Sequence, residues 1–293
     1  MAKKILNLHE EATNLRLKEV CDTYGAHAYP KIRVADVLPI QGSGISNEDF
    51  RFALQAHFDF IVCDNEQIPQ FAVEFDGPSH KDAAQRRRDA KKDALCDRFA
   101  FPILRINWRH IVKKYKSYDL LSWFVEHWFL AQEFYEAQCK GHVPWDEPYD
   151  PMMFFTLPGR SHRFPMWLSS GLRIKVQELH KKGKIRDSIV SHWIGVDKNG
   201  HYHGVSWLRT NDAEAIVVES GMRKQRFPVS EGDLLGEILA FLIFERLEAV
   251  LSGEESAIPM YEVNRILHAT AAKYEMRSFA GHSHDKPNTA PVL

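Results

Sequence analysis

The sequence has almost no net charge: 38 Lys and Arg stand against 39 Asp and Glu, leaving −1 over 293 residues. A chain so balanced exerts no global pull on nucleic acid or an anionic surface, so contact with either needs a local basic patch. Cysteine is scarce. Cys21, Cys63, Cys96 and Cys139 are widely spaced and form no C-x-x-C pair. That argues against a structural zinc site and leads us to expect reduced thiols in a cytoplasmic protein. Long hydrophobic runs are missing. The most apolar stretch, 234–244, contains Glu237 and is followed by Glu245 and Arg246, too short and too charged to span a bilayer. The N-terminus, MAKKILNLHEE, lacks the apolar run of a signal peptide. No internal repeat is present. What remains is the composition of a soluble globular protein, long enough for one large domain or two ordinary ones.

What is present is organised around HFDFIVCDNEQIPQFAVEFDGPSH, residues 57–80. Two apolar segments rich in Val, Ile and Phe, 58–63 and 71–77, flank Asp64-Asn65-Glu66-Gln67, a composition suited to a hairpin turn. Each segment carries a carboxylate where a strand is otherwise apolar. Paired antiparallel, the strands bring Asp59 and Glu74 side by side at one end. Close carboxylates repel unless a cation or a shared proton compensates, and oxygen-only clusters suit Mg²⁺ or Mn²⁺.

The order Asp59, Glu74-x-Asp76-Gly77, His80 resembles the PD-(D/E)XK, or restriction-endonuclease-like, nucleases. The nearest likeness is a bacterial branch of uncharacterised domains related to the very-short-patch repair endonucleases. That branch continues with a helix bearing Arg-Asp-x-x-x-Lys-Asp and a strand ending Leu-Arg-Ile. Here the helix reads Arg88-Asp89-Ala90-Lys91-Lys92-Asp93 and the strand Pro102-Ile103-Leu104-Arg105-Ile106. The likeness covers roughly residues 8–110.

The resemblance implies a metal-dependent nuclease using Mg²⁺ or Mn²⁺ on nucleic acid, most readily DNA. Asp59, Glu74 and the Phe75 carbonyl are its expected metal ligands, with a glutamate of the first helix, Glu11 ahead of Glu10, reaching in from one side. The family's lysine two residues after the glutamate is here Asp76. Lys92, on the following helix, is the expected replacement ammonium. His80 is the expected general base or proton shuttle, with Asp76 able to hold it by a hydrogen bond. Without an active site, the same fold serves as a silent scaffold binding DNA or a protein.

Along the chain, a helix is expected over 8–23, a strand over 27–38 and a loop over 42–47. Gly77-Pro78 ends the second organising strand, and a helix over 81–99 follows. Gln85, Asp89 and Lys92 fall on one of its faces at i, i+4 and i+7, and Gln85 and Asp89 are expected to support the site. Arg86, Arg87, Arg88 and Lys91 make this the most basic run of the first half, expected to contact phosphates. A strand over 101–107 and an aromatic-rich helix over 118–138 follow.

Five prolines between Pro144 and Pro165 mark the best domain boundary. Beyond it the expected order is helix (169–183), hairpin (189–196 and 201–208), strand (213–219), helix (231–251) and a last helix (258–276). The order α-β-β-β-α matches the double-stranded-RNA-binding fold. However, Glu231-Gly232-Asp233 stands where that fold wants lysines, which argues against it. His201 and His203 lack a Cys or carboxylate to complete a metal site. The expected whole is an α/β protein. It has a restriction-endonuclease-like core over 1–140 (a mixed central sheet flanked by helices), a Pro-rich linker over 141–165, and a smaller α+β accessory domain over 166–277. A disordered tail over 278–293 completes it. The accessory domain is where a protein partner or a second copy would bind.

Overall fold

The computed structural model describes residues 5–76, 83–114, 118–150, 168–226 and 230–281. The chain divides into two compact units, residues 1–151 with 225–229 and residues 152–224 with 230–293.

The first unit is built on a four-stranded mixed sheet in the order β1-β2-β3-β4. β1 (His27–Arg33), β2 (His57–Cys63) and β3 (Pro69–Phe75) form an antiparallel meander. β4 (Ile103–Ile106) lies parallel to β3, because the chain between them crosses over through helix α4 (Ala83–Arg98). Both sheet faces are covered, so β2 and β3 read as nearly continuous apolar runs. On one face Ile61, Cys63, Ala72 and Ile103 pack against Leu95 and Cys96 of α4. Strand alternation sends Phe71 to the other face, where its ring meets Trp128 of α5 (Leu120–Cys139), centroids 5.1 Å apart. α1 (Leu8–Thr23) packs beside α5.

Several bounds differ from the sequence reading. The strand expected over 27–38 stops at Arg33, and a single helical turn, α2 (Val34–Val37), follows. A short helix absent from the sequence reading, α3 (Asn47–Gln55), is capped by the Ser46 hydroxyl, which accepts from the Asp49 N–H at 3.0 Å. The stretch 141–150 is not a free linker. The Gln138 side-chain amide donates to the carbonyls of Pro144 and Glu147, each at 2.8 Å, and Tyr149 meets His127 at 2.7 Å. These bonds fold the chain back along α5.

The second unit holds a five-stranded antiparallel sheet in the order β8-β7-β6-β5-β9. After α6 (Ser170–Lys181) come β5 (Ser191–Val196), β6 (Tyr202–Arg209) and β7 (Glu214–Met222). The β5–β6 turn is held by the Asp197 carboxylate, which accepts from the N–H groups of Asn199 and His201, with Gly200 at φ +78°. α7 (Glu231–Ser252) ends at Gly253 in the left-handed region. β8 (Ile258–Pro259), α8 (Met260–Lys273) and β9 (Glu275–Ala280) complete the unit. α6 and α7 pack on one face through Val176, Ile243 and Leu247, and α8 covers the other at Trp193 and Trp207. The tail expected from residue 278 therefore begins too early: Ser278, Phe279 and Ala280 pair with β5. Residues 282–293 lie outside the described residues. His203 is half-buried: it stacks on Tyr274 at 4.1 Å, and its Nε2 stands 3.5 Å from Asp197 Oδ2, a carboxylate that the sequence reading did not place beside it. Among the described residues no helix is long and apolar enough to cross a membrane.

Candidate active site in the first unit

The register of the first sheet sets one row of charges across all four strands. Lys31 and Asp59 fall opposite each other between β1 and β2, since Pro30 pairs with Phe60 and Ile32 with Phe58. One step beyond the Phe60–Val73 pair, Asp59 faces Glu74, and Glu74 pairs with Arg105 across the parallel β3–β4 ladder. The order across the sheet is thus positive, negative, negative, positive.

Each central carboxylate accepts from a backbone N–H of the other strand. The Phe75 N–H donates to Asp59 Oδ2 at 3.0 Å, and the Asp59 N–H donates to Glu74 Oε1 at 3.2 Å. Two like charges are thereby fixed at neighbouring positions by the strand pairing itself. Cations from two directions compensate. Lys92 of α4 donates to both Glu74 oxygens at 2.7 Å and to the His57 carbonyl at 2.8 Å. All three of its N–H donors are spent. Lys31 donates to Asp59 Oδ1 at 2.8 Å and to Glu10 Oε1 at 2.6 Å. Two of its three donors are used, and its side chain is one-third exposed.

Glu10 is placed by its own helix. The Asn7 side chain accepts from the N–H groups of His9 and Glu10, and Glu10 Oε2 accepts from the Asn7 N–H at 2.9 Å, a reciprocal capping box. The same carboxylate's other oxygen binds Lys31. The order given to Glu11 and Glu10 is therefore reversed: Glu10 lines the cavity and Glu11, one position round the helix, does not.

These groups wall a cavity of about 570 Å³, together with His57, Gln85, Arg88 and Asp89. Burial pushes the Glu74 carboxyl up to about 7, Lys92 opposes this, and Asp59 adds to it. Burial pulls the Lys31 ammonium down, but hydrogen bonds to Asp59 and Glu10 outweigh it and its pKa lies above the ordinary lysine value. Burial likewise pulls Arg105 down, and Asp93 outweighs it at 2.7 Å, so the guanidinium stays charged.

The supporting residues fall as follows. Asp76 pairs with Arg105 at 3.3 Å, and its N–H donates to the Ile106 carbonyl at 2.6 Å. Gln85 donates to Asp89 at 3.0 Å, and Asp89 stands 3.8 Å from Arg105. Arg86 and Arg87 are exposed, and Arg88 is exposed at the cavity wall. Lys91 departs from the expected phosphate-binding row: it turns toward α3, pairing with Glu48 and lying 5.9 Å over the Phe52 ring. His80 lies outside the described residues.

Among the described residues no three His, Cys, Asp or Glu side chains converge as a ready metal cage. The donor chemistry nevertheless fits a hard divalent cation. Asp59 and Glu74 place carboxylate oxygens side by side at the cavity wall. Phe75 is at the same wall. Sequence reading missed Lys31, whose place depends on a long-range strand register. It had the signal for Glu10 in view, the Asn7-x-x-Glu10 capping pattern.

A family model described as a protein of unknown function (DUF2726) matches residues 2–119, a span containing every residue of this cavity. No curated protein matches the chain. No solved structure matches it either.

Proposed function

We propose that the first unit is a metal-dependent nuclease hydrolysing phosphodiester bonds, most readily in DNA, on a restriction-endonuclease-like core. The observation that carries this reading is the facing pair Asp59 and Glu74, fixed on adjacent strands and bracketed by Lys31 and Lys92 in one cavity. Carboxylates fixed this close draw cations: the two lysines beside them and, in this reading, a divalent ion in the cavity as well. Asp59, Glu74 and the Phe75 carbonyl would hold Mg²⁺ or Mn²⁺, with Glu10 beside them. When bound, such an ion lowers the pKa of a water and neutralises charge developing on the phosphoryl group.

The chain's own residues divide the remaining work. Lys92, with every donor spent and its head buried, holds Glu74 in place and does not reach a substrate. Lys31 keeps a donor for the cavity, so it is the ammonium that orients the attacking water or a phosphoryl oxygen. Arg88 at the wall receives a neighbouring phosphate. His80 takes a proton from the water as the water oxygen bonds to phosphorus; the P–O bond to the leaving oxygen breaks, and that oxygen departs with the bonding pair and takes a proton from solvent. Four free thiols, three of them buried, suit a cytoplasmic setting for this activity.

A second reading rests on the two lysines. They neutralise the carboxylates without any added ion, as a silent scaffold for DNA or a protein would need. One experiment separates the two. The full chain is incubated with single-stranded, duplex and branched DNA and with RNA, in Mg²⁺, Mn²⁺ or chelator. Cleavage that requires the metal and is lost in Asp59→Ala supports the nuclease. Absence of cleavage in every substrate, with no metal-induced rise in melting temperature, supports the scaffold.

A further inference from the structure

We propose that Trp108 and Arg109 form a stacking platform for an unpaired base, so that the nucleic acid taken by this site is single-stranded, or has an end or loop, next to the cavity. The inference rests on the nucleic-acid reading above and adds the substrate class.

Because β3 and β4 run parallel, their C-terminal ends lie at one end of the sheet. Phe75 and Asp76 are there, and so is the 3-10 turn Trp108–His110 that follows β4 directly. Arg88, from the second turn of α4, shares the cavity wall with Phe75 at the same end. The turn is held firmly. The Asn107 side chain accepts from the Arg109 N–H at 3.0 Å, and His110 Nδ1 accepts from the Asn107 N–H at 3.1 Å. The His110 ring is packed beside Phe124, centroids 6.3 Å apart.

This rigid turn leaves Trp108 54% exposed. The Arg109 guanidinium lies over its ring, 5.6 Å from the centroid, and Arg109 is itself exposed. The segment from Trp108 on exposes three cations, Arg109, Lys113 and Lys114, and one further large apolar side chain, Val112, so charge outweighs the apolar surround that marks a protein-binding patch. It has instead the two elements that single strands need: a π face for a base and positive charge for the adjoining phosphate. A continuous duplex keeps its bases inside the stack and offers the same surface only phosphates, which selects the unpaired base as the occupant.

The test uses the full chain in chelator, so that binding is read without cleavage. Fluorescence anisotropy follows a labelled single strand and the blunt duplex of the same sequence. Trp108→Ala is expected to weaken single-strand binding roughly tenfold and leave duplex binding and the salt slope unchanged. Trp108→Phe is expected to restore most of the loss. Arg88→Ala, the phosphate control, is expected to weaken both ligands and lower the slope. Equal loss on both ligands in Trp108→Ala, no loss on either, or parent protein that binds neither overturns the platform; binding only to a peptide does so too. A parent that binds single strands through Trp108 yet cuts nothing with Mg²⁺ or Mn²⁺ overturns the nuclease reading and leaves the platform standing.

Discussion

Lys92 grips both oxygens of Glu74 at 2.7 Å and gives its third proton to the carbonyl of His57. Each side chain is at least nine-tenths buried. Removing one partner of such a pair strands a charge in the protein interior. Lys92→Met is therefore expected to destabilise the folded chain by about 3 kcal/mol or more, read as a lower denaturation midpoint. Combining it with Glu74→Gln removes the stranded charge and is expected to recover part of that loss. A Lys92→Met protein as stable as the parent would show that the pair is not the clamp described here.

The same burial makes stability depend on pH. The Glu74 carboxyl is raised from the ordinary 4.5 to about 7 by burial, against Lys92 and with Asp59. The folded state thus holds this proton more tightly than the unfolded chain. Its contribution is fully present below about 4.5 and is lost as pH rises through about 7. Glu74→Gln, which has no proton to lose, is expected to flatten that part of the stability profile whatever its absolute stability. Chemical denaturation of parent and variant at several pH values across this window is the measurement, and parallel profiles would contradict it.

Lys31 adopts φ +57° within a strand, a left-handed conformation uncommon for a residue with a side chain. Such a residue persists where its surroundings over-determine it, and here Glu10 and Asp59 hold its ammonium. Glycine accepts the conformation freely. Lys31→Gly is expected to be more stable than Lys31→Met by roughly 1 kcal/mol, with both equally devoid of the ammonium. Under the proposed nuclease activity both variants should lower kcat roughly a hundredfold, the effect of losing one donor aimed at a reacting centre. A Lys31→Met protein that cuts with parental kcat would assign the proposed role to another group.

Much of this site was legible in the sequence because it depends on local pattern. Two apolar runs around an Asp-Asn-Glu-Gln turn specify the β2–β3 hairpin, and the hairpin places Asp59 against Glu74. The i, i+4, i+7 spacing put Gln85, Asp89 and Lys92 on one face of α4, and all three line the cavity. What escaped depends on contacts remote in sequence. Lys31 enters only through the pairing of β1 with β2, and its positive φ has no signature in a lysine codon's neighbours. β9 is a short edge strand whose partner, β5, lies some eighty residues earlier, and in isolation its residues extend a helical pattern. Glu10 differs from Glu11 only through the capping box, a two-residue pattern overlooked beside the stronger acidic-first-turn reading.

That box gives the last prediction. Glu10 has two tasks, one oxygen on the Asn7 N–H and the other on Lys31. Glu10→Gln can keep the first bond through its amide oxygen and loses the charge that holds the ammonium. Glu10→Ala loses both. Thermal unfolding is expected to place Glu10→Ala roughly 1 kcal/mol below the parent and Glu10→Gln closer to it. Under the proposed nuclease activity, cleavage is expected to fall in both, since each leaves Lys31 with Asp59 as its remaining carboxylate partner. Glu11→Gln, whose side chain is not at the cavity wall, serves as the comparison and should cut at nearly the parental rate. A Glu11→Gln protein that loses activity while Glu10→Gln keeps it would reverse the assignment of this helix to the site.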